Sequence, residues 1–141
     1  MISTRGRYAI RVMVDLAEHG NGKYIPMKEV ALRQEISLKY IEKIMSILTK
    51  NKLVEGLHGK GGGYCLVREP DKYTLGEILR FTEGGLAPVA CLEDGAKPCS
   101  RASQCRTLSV WKDFYQMTNQ FFDSITIADL MRNDSGYDFV I

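Results

Sequence analysis

ISLKYIEKIMSILTKNKLVEGLHGKGGGYCLV, residues 36–67, carries two periodicities in succession. The first half is helical. Ser37 is a good N-cap, and Ile41, Ile44, Met45 and Leu48 recur at the spacing of one buried helix face. Lys39, Tyr40, Glu42, Lys43, Ser46 and Lys50 are left for solvent or a partner. The second half reads as a strand over 53–57, a turn of Gly59-Lys60-Gly61-Gly62-Gly63, and a strand over 64–67. Two short strands around a glycine-rich turn predict a β-hairpin.

Upstream, PMKEVALRQE predicts a helix that begins at Pro26, with Met27, Val30 and Ala31 on one face. Before it, YAIRVMVDLAEHG places Ile10, Val12, Met13, Leu16 and Ala17 near helical spacing, and Gly20 and Gly22 end it. Two short helices across a tight turn, the second with a polar and partly basic outer face, predict a helix-turn-helix. Any small helical bundle would also show such a pair. The hairpin directly after the second helix favours DNA, because it reads as the wing of a winged helix. At its tip Gly59, Lys60 and Gly61 expose backbone N–H groups, and His58 flanks them, suited to phosphates or a minor groove. The plain alternative is a flexible hairpin turn. A nucleotide-cradling loop fits poorly, since no helix start or Lys-Ser/Thr pair follows.

The charge distribution agrees. Residues 1–72 hold 13 Lys/Arg against 8 Asp/Glu, and residues 73–141 hold 6 against 9. A basic first half suits a polyanion, and an acidic second half suggests a different task. The opening residues are charged throughout, so neither a signal peptide nor a membrane span is expected, and the protein is expected to be cytoplasmic.

Downstream, YTLGEILRFTEG predicts a helix capped by Thr74 with Leu75, Ile78, Leu79 and Phe81 inward. A Gly-, Pro- and Ser-rich loop from about 84 to 106 follows, with CLEDGAKPCSRASQC spacing Cys91, Cys99 and Cys105 as C-x7-C-x5-C. Thiols of a reducing compartment lean towards metal or redox chemistry. Zinc usually brings C-x2-C pairs, absent here, and a disulfide would strand one cysteine. An iron–sulfur cluster, zinc, and free redox-reactive thiols all remain open on spacing alone. Cys65, in the wing strand, reads as a small core residue. LSVWKDFYQMTNQFFDSI then predicts a long helix with a wide aromatic face (Leu108, Trp111, Phe114, Tyr115, Thr118, Phe121, Phe122, Ile125), for dimerisation or for packing on its own domain. TIADLMRN predicts a terminal turn of helix. No C-x-x-C motif, Ser/His/Asp set or carboxylate pair stands out, so an enzyme is not expected, and a thiol redox enzyme is a remote alternative.

Taken together, STRGRYAIRVMVDLA, ISLKYIEKIMSIL, GGGY, YTLGEIL and SVWKDFYQMTNQFFDSITIADL resemble, in order and over residues 1 to about 132, the IscR/NsrR/CymR-type family of winged-helix transcriptional regulators. The resemblance implies a mainly α fold with a small β-hairpin. Its parts are a winged helix-turn-helix DNA-binding domain (1–72), a linking helix and cysteine loop (73–106), a dimerisation helix with a terminal helix (107–132) and a tail (133–141). It implies a cytoplasmic homodimer on a double-stranded DNA operator, with Cys91, Cys99 and Cys105 as ligands of an iron–sulfur cluster, 2Fe-2S favoured over 4Fe-4S. Ser37, Lys39, Tyr40, Glu42 and Lys43 take the recognition-helix positions, and His58, Gly59, Lys60 and Gly61 those of the wing. The implied role is a repressor or activator of iron–sulfur cluster biogenesis genes. The alternatives are a nitric-oxide or iron sensor, and a CymR-like cluster-free regulator of cysteine metabolism that answers to a partner enzyme. The sequence departs from the family pattern at Leu108, where IscR-like members have a histidine, and in its first cysteine gap of seven residues rather than about five.

Overall fold

The computed structural model describes residues 2–131. The expected tail 133–141 and the end of the expected terminal segment lie outside the described residues. Six helices and one hairpin follow in the order α1 Thr4–Gly20, α2 Met27–Gln34, α3 Leu38–Lys50, β1 Val54–Leu57, β2 Gly63–Leu66, α4 Leu75–Glu83, α5 Leu108–Asp123 and α6 Ile127–Leu130. The fold is mainly helical with a small antiparallel hairpin, as expected.

Local chemistry explains each boundary. Ser3 caps α1 by accepting the Gly6 N–H, and Asn21 closes the helix in the left-handed region at φ 47°. Pro26 stands one place earlier than expected. Its ψ of 139° is extended, so it is the N-cap of α2 rather than its first residue. The turn into α3 is Glu35-Ile36-Ser37. Glu35 is left-handed at φ 55° and its N–H bonds the Ala31 carbonyl, Ile36 is buried, and Ser37 caps α3 through the Tyr40 N–H. The α3 stripe of Ile41, Ile44, Met45 and Leu48 is buried as the spacing required.

In the hairpin Val54 faces Leu66, Glu55 faces Cys65, Gly56 faces Tyr64 and Leu57 faces Gly63. β1 starts one residue later than expected and β2 ends one residue earlier, for one kind of reason. The Leu53 N–H is used by the Leu48 carbonyl at 2.9 Å, and the Val67 N–H by the Tyr73 hydroxyl at 3.0 Å, so neither joins the ladder. Ile25 bridges Tyr64 through two backbone hydrogen bonds of 2.9 and 3.0 Å, which pins the wing to the segment before α2. A Cβ on Gly63 would strike the Ile25 carbonyl, so glycine is required beside Tyr64.

The core gathers Val12, Met13 and Leu16 from α1, the α3 stripe, Leu53, and then Tyr73, Leu75, Ile78 and Ile127 from beyond residue 72. Thr74 caps α4 as expected, but Phe81 is exposed and Thr82 is buried in its place. The inward stripe of α4 runs 75–78–79–82, and position 81 falls beside it. α5 has no buried residue and is bonded to α4 near its C-terminus. There Arg80 makes two bonds of 2.8 Å to Asp123 and one of 2.9 Å to Asn119, and a Cβ on Gly76 would meet the Asp123 carboxylate. α6 returns Ile127 to the core. No helix among the described residues is long and apolar enough to cross a membrane.

Tyr73 ties these parts together. It is fully buried, and its hydroxyl donates to the Leu53 carbonyl at 2.7 Å while accepting the Val67 and Arg68 N–H groups at 3.0 and 3.1 Å. Burial pushes its phenol above the ordinary range, so it stays a neutral donor. Tyr73→Phe strands one carbonyl and two N–H groups, and urea unfolding should show a loss of about 2–3 kcal/mol. A loss below about 0.5 kcal/mol, the level of an ordinary surface change, would contradict the role given to Tyr73.

Candidate nucleic-acid interface and thiol loop

Ser37, Lys39, Glu42 and Lys43 lie exposed at the start of α3, and Ser46, Thr49 and Lys50 extend the same surface. Tyr40 differs from its neighbours. It is half-buried with its ring 5.6 Å from that of Tyr8 and nearly perpendicular to it, while the Arg11 guanidinium lies 5.0 Å from the Tyr8 centroid. Tyr40 therefore joins α3 to α1 through an aromatic edge contact.

A second joint was not apparent from the sequence. Asp15 is fully buried on α1 and accepts two hydrogen bonds from Arg33, at 3.0 and 2.7 Å, and one from Gln34 at 2.9 Å. Its carboxylate holds the Arg33 guanidinium still further above its usual value. His19 Nδ1 lies 3.0 Å from the Asp15 carbonyl, and Arg11 reaches both the side chain and the carbonyl of Gln34. A buried carboxylate with a bidentate arginine fixes angle as well as contact. α2 is thereby clamped to α1. The available signal was an aspartate between Val12 and Leu16, on the inward face of an otherwise apolar stripe.

His58, Gly59, Lys60 and Gly61 are exposed at the tip of the wing, with Gly59 and Gly61 left-handed at φ 94° and 78°. The wing base is tied by Tyr24, which donates to Glu55 at 2.9 Å, and by the Cys65 thiol, 3.6 Å from the same carboxylate. The hydrogen bond to Glu55 pushes the Tyr24 phenol up to about 12. Burial, reinforced by Glu55, raises the Cys65 thiol, so Cys65 is a quiet core group.

The other three cysteines are in a different environment. Cys91, Cys99 and Cys105 are free and exposed on the segment between α4 and α5, with Cys91 in a short 3-10 turn at Ala90–Leu92. Among the described residues no three His, Cys, Asp or Glu side chains gather closely enough to hold a metal ion. The structure thus puts the three thiols on one loop without bringing them together. As a donor set they fit a thiolate-ligated cluster: each is exposed and none is in a disulfide. The Thr107 hydroxyl, 3.5 Å from Cys105, and the Thr107 N–H lower that thiol below its ordinary value.

α5 itself presents Val110, Phe114, Met117 and Phe121 at successive turns of one face, 53–68% exposed. Such a stripe on a helix with no buried residue is an unpartnered apolar surface.

Residues 2–133 match the Rrf2 family, described as iron-dependent transcriptional regulators. The chain belongs to the Rrf2 family. It is 33% identical over 139 residues to the HTH-type transcriptional regulator IscR of Sodalis glossinidius, covering 99% of this chain and 83% of that protein. Among solved structures, T. potens IscR is 34% identical with a TM-score of 0.72, over 92% of this chain and 85% of that one. CymR, the global cysteine regulator of B. subtilis, is 35% identical with a TM-score of 0.74, over 92% and 95%. This Rrf2 chain is accordingly a DNA-binding transcriptional regulator, and its relatives are named as regulators, not enzymes.

The four thiols should react in an order set by burial and by Thr107. Under reducing conditions near neutral pH, iodoacetamide followed by peptide mass spectrometry should label Cys105 first. Cys65 should be labelled at least about tenfold more slowly than the loop thiols. Cys65 labelled as fast as Cys105 would contradict the assignment.

Proposed function

We propose that this regulator binds operator DNA as a homodimer in the cytoplasm and that its affinity depends on an iron–sulfur cluster held by Cys91, Cys99 and Cys105. The observation that carries this reading is the placement of three free, exposed thiols on the single loop joining the DNA-reading body to α5. Residues 1–72 read DNA, 73–106 sense, and 107–132 dimerise.

In this reading the Val110–Phe114–Met117–Phe121 stripes of two protomers cover one another, which removes an apolar face from water. The two α3 helices then enter successive major grooves about 34 Å apart. Lys39 and Lys43 lie on phosphates, with Ser37 beside them. Glu42 is placed to accept from a cytosine amino group. Tyr40 holds the helix at its angle through Tyr8 and offers its hydroxyl to the backbone. His58 and Lys60 carry the wing to the minor groove, and Gly59 and Gly61 let backbone N–H groups approach.

A bound cluster, 2Fe-2S favoured over 4Fe-4S, supplies a tie between the thiols that oxidants, nitric oxide or iron shortage can release. The chain's part is to turn that tie into geometry. Drawing Cys91, Cys99 and Cys105 together shortens the path from α4 to α5, and so alters the separation of the two recognition helices. Such a ligand shifts DNA affinity only as far as it distinguishes the two arrangements. Cluster biogenesis genes are the proposed targets, on the similarity to IscR. The likeness to CymR favours a second reading, a cluster-free regulator of cysteine metabolism with a partner enzyme.

Anaerobic purification, visible absorption and iron and sulfide analysis separate the two. The first reading predicts absorption at about 320–460 nm with matching iron and sulfide, lost in Cys99→Ala. A colourless, iron-free protein that binds DNA equally well with Cys99→Ala would support the second and exclude the first.

A further inference from the structure

Glu83 is the last residue of α4, where its charge opposes the negative end of that helix's dipole. It is compensated by the end of another helix. Its Oε1 accepts the Ser3 N–H at 3.0 Å and the Ser3 hydroxyl at 2.7 Å, at the positive start of α1. Ser3 Oγ accepts the Gly6 N–H at 3.2 Å, so carboxylate, cap and first turn form one chain of hydrogen bonds. Beside it Arg5 Nε donates to the Thr82 carbonyl at 2.9 Å. A Cβ on Gly6 would run into the Glu83 carboxylate, so a side chain there would push that carboxylate off Ser3. Neither DNA reading nor thiol chemistry requires this joint.

Its position is informative. The thiol loop begins at the next residue, through Gly84 and Gly85, both at positive φ. Ile2, Glu83, Gly85, Leu86, Glu93 and Phe114 line one groove of about 800 Å³, so the joint faces the loop and the apolar side of α5. Along α1 follow the two joints to the recognition unit, Tyr8 on Tyr40 about one turn after the cap and Asp15 on Arg33 and Gln34 further on. A displacement of residues 84–85 therefore reaches Glu83 first, then the start of α1, then α3.

We propose that Glu83 is a positioning residue that couples the state of the thiol loop to the orientation of the recognition helix, by holding or releasing Ser3 at the start of α1. This rests on the reading that loop state alters DNA affinity. A purely structural Glu83 would change affinity equally in both states of the loop. A coupling residue changes their ratio.

The test uses the full-length protein and a DNA fragment selected from a random library by the wild type. Affinity is measured with the cluster loaded and removed, alongside amide exchange at Gly6. Wild type should show a ratio of about tenfold or more between the two states, within the usual range of allosteric coupling. Glu83→Ala should bring the ratio to within about twofold, and Glu83→Gln, which keeps an oxygen for Ser3, should retain most of it. Gly6 exchange in the wild type should differ between the two states. This last measurement keeps the proposal open to refutation even if Glu83→Ala folds poorly. A full ratio in Glu83→Ala, or Gly6 exchange indifferent to the cluster, overturns the proposal alone. A wild-type ratio of one overturns the underlying reading and this proposal with it.

Discussion

The Tyr73 hydroxyl has one hydrogen to give and two lone pairs to fill, and the fold uses all three. It gives to Leu53, where the chain leaves the recognition helix, and accepts from Val67 and Arg68, where the chain leaves the wing. The Tyr73 carbonyl takes the Ile127 N–H at 3.0 Å, and the Leu75 N–H bonds the Ile125 carbonyl at 2.9 Å, so the same short segment also receives the chain returning from α5. The end of α3, the wing and the chain returning from α5 therefore meet at one buried residue. With that group satisfied, α3 and the wing hold one geometry relative to each other, and what remains adjustable is the connecting chain between α4 and α5.

That adjustability is confined to one side. α4 is fixed to α1 by side-chain and main-chain bonds, and to α5 by the bidentate Arg80–Asp123 pair with Asn119. Between α4 and α5 the chain runs through largely exposed, largely irregular residues that hold the three exposed cysteines. A regulator needs a rigid reader and a deformable connection, because a signal spread over a soft body would not reach the DNA as a defined displacement. Here the buried thiol, Cys65, belongs to the rigid reader, and the three exposed thiols to the connection.

Most of the reader was legible in the sequence because its determinants are local. The α3 stripe, the Ser37 and Thr74 caps and the glycine turn each follow from residues within a few positions of one another. The strand limits were off by a residue because groups outside the hairpin, the Leu48 carbonyl and the Tyr73 hydroxyl, take the N–H groups of Leu53 and Val67. Phe81 was misplaced because hydrophobicity alone cannot tell the middle of a helix stripe from its edge. The Asp15–Arg33 clamp and the Glu83–Ser3 joint were hidden because each pairs residues far apart in the chain. The loop cysteines were legible as a donor set, but their spacing left cluster, zinc and free thiols open.

In the proposed mechanism the loop moves one rigid reading unit relative to its copy. The most direct measurement is the distance between the two recognition helices of a dimer, by pulsed electron resonance, with a non-thiol spin label at position 46 on the exposed face of α3. The distance distribution should shift when the cluster is removed, in step with the change in DNA affinity. An unchanged distribution accompanying a changed affinity would contradict it.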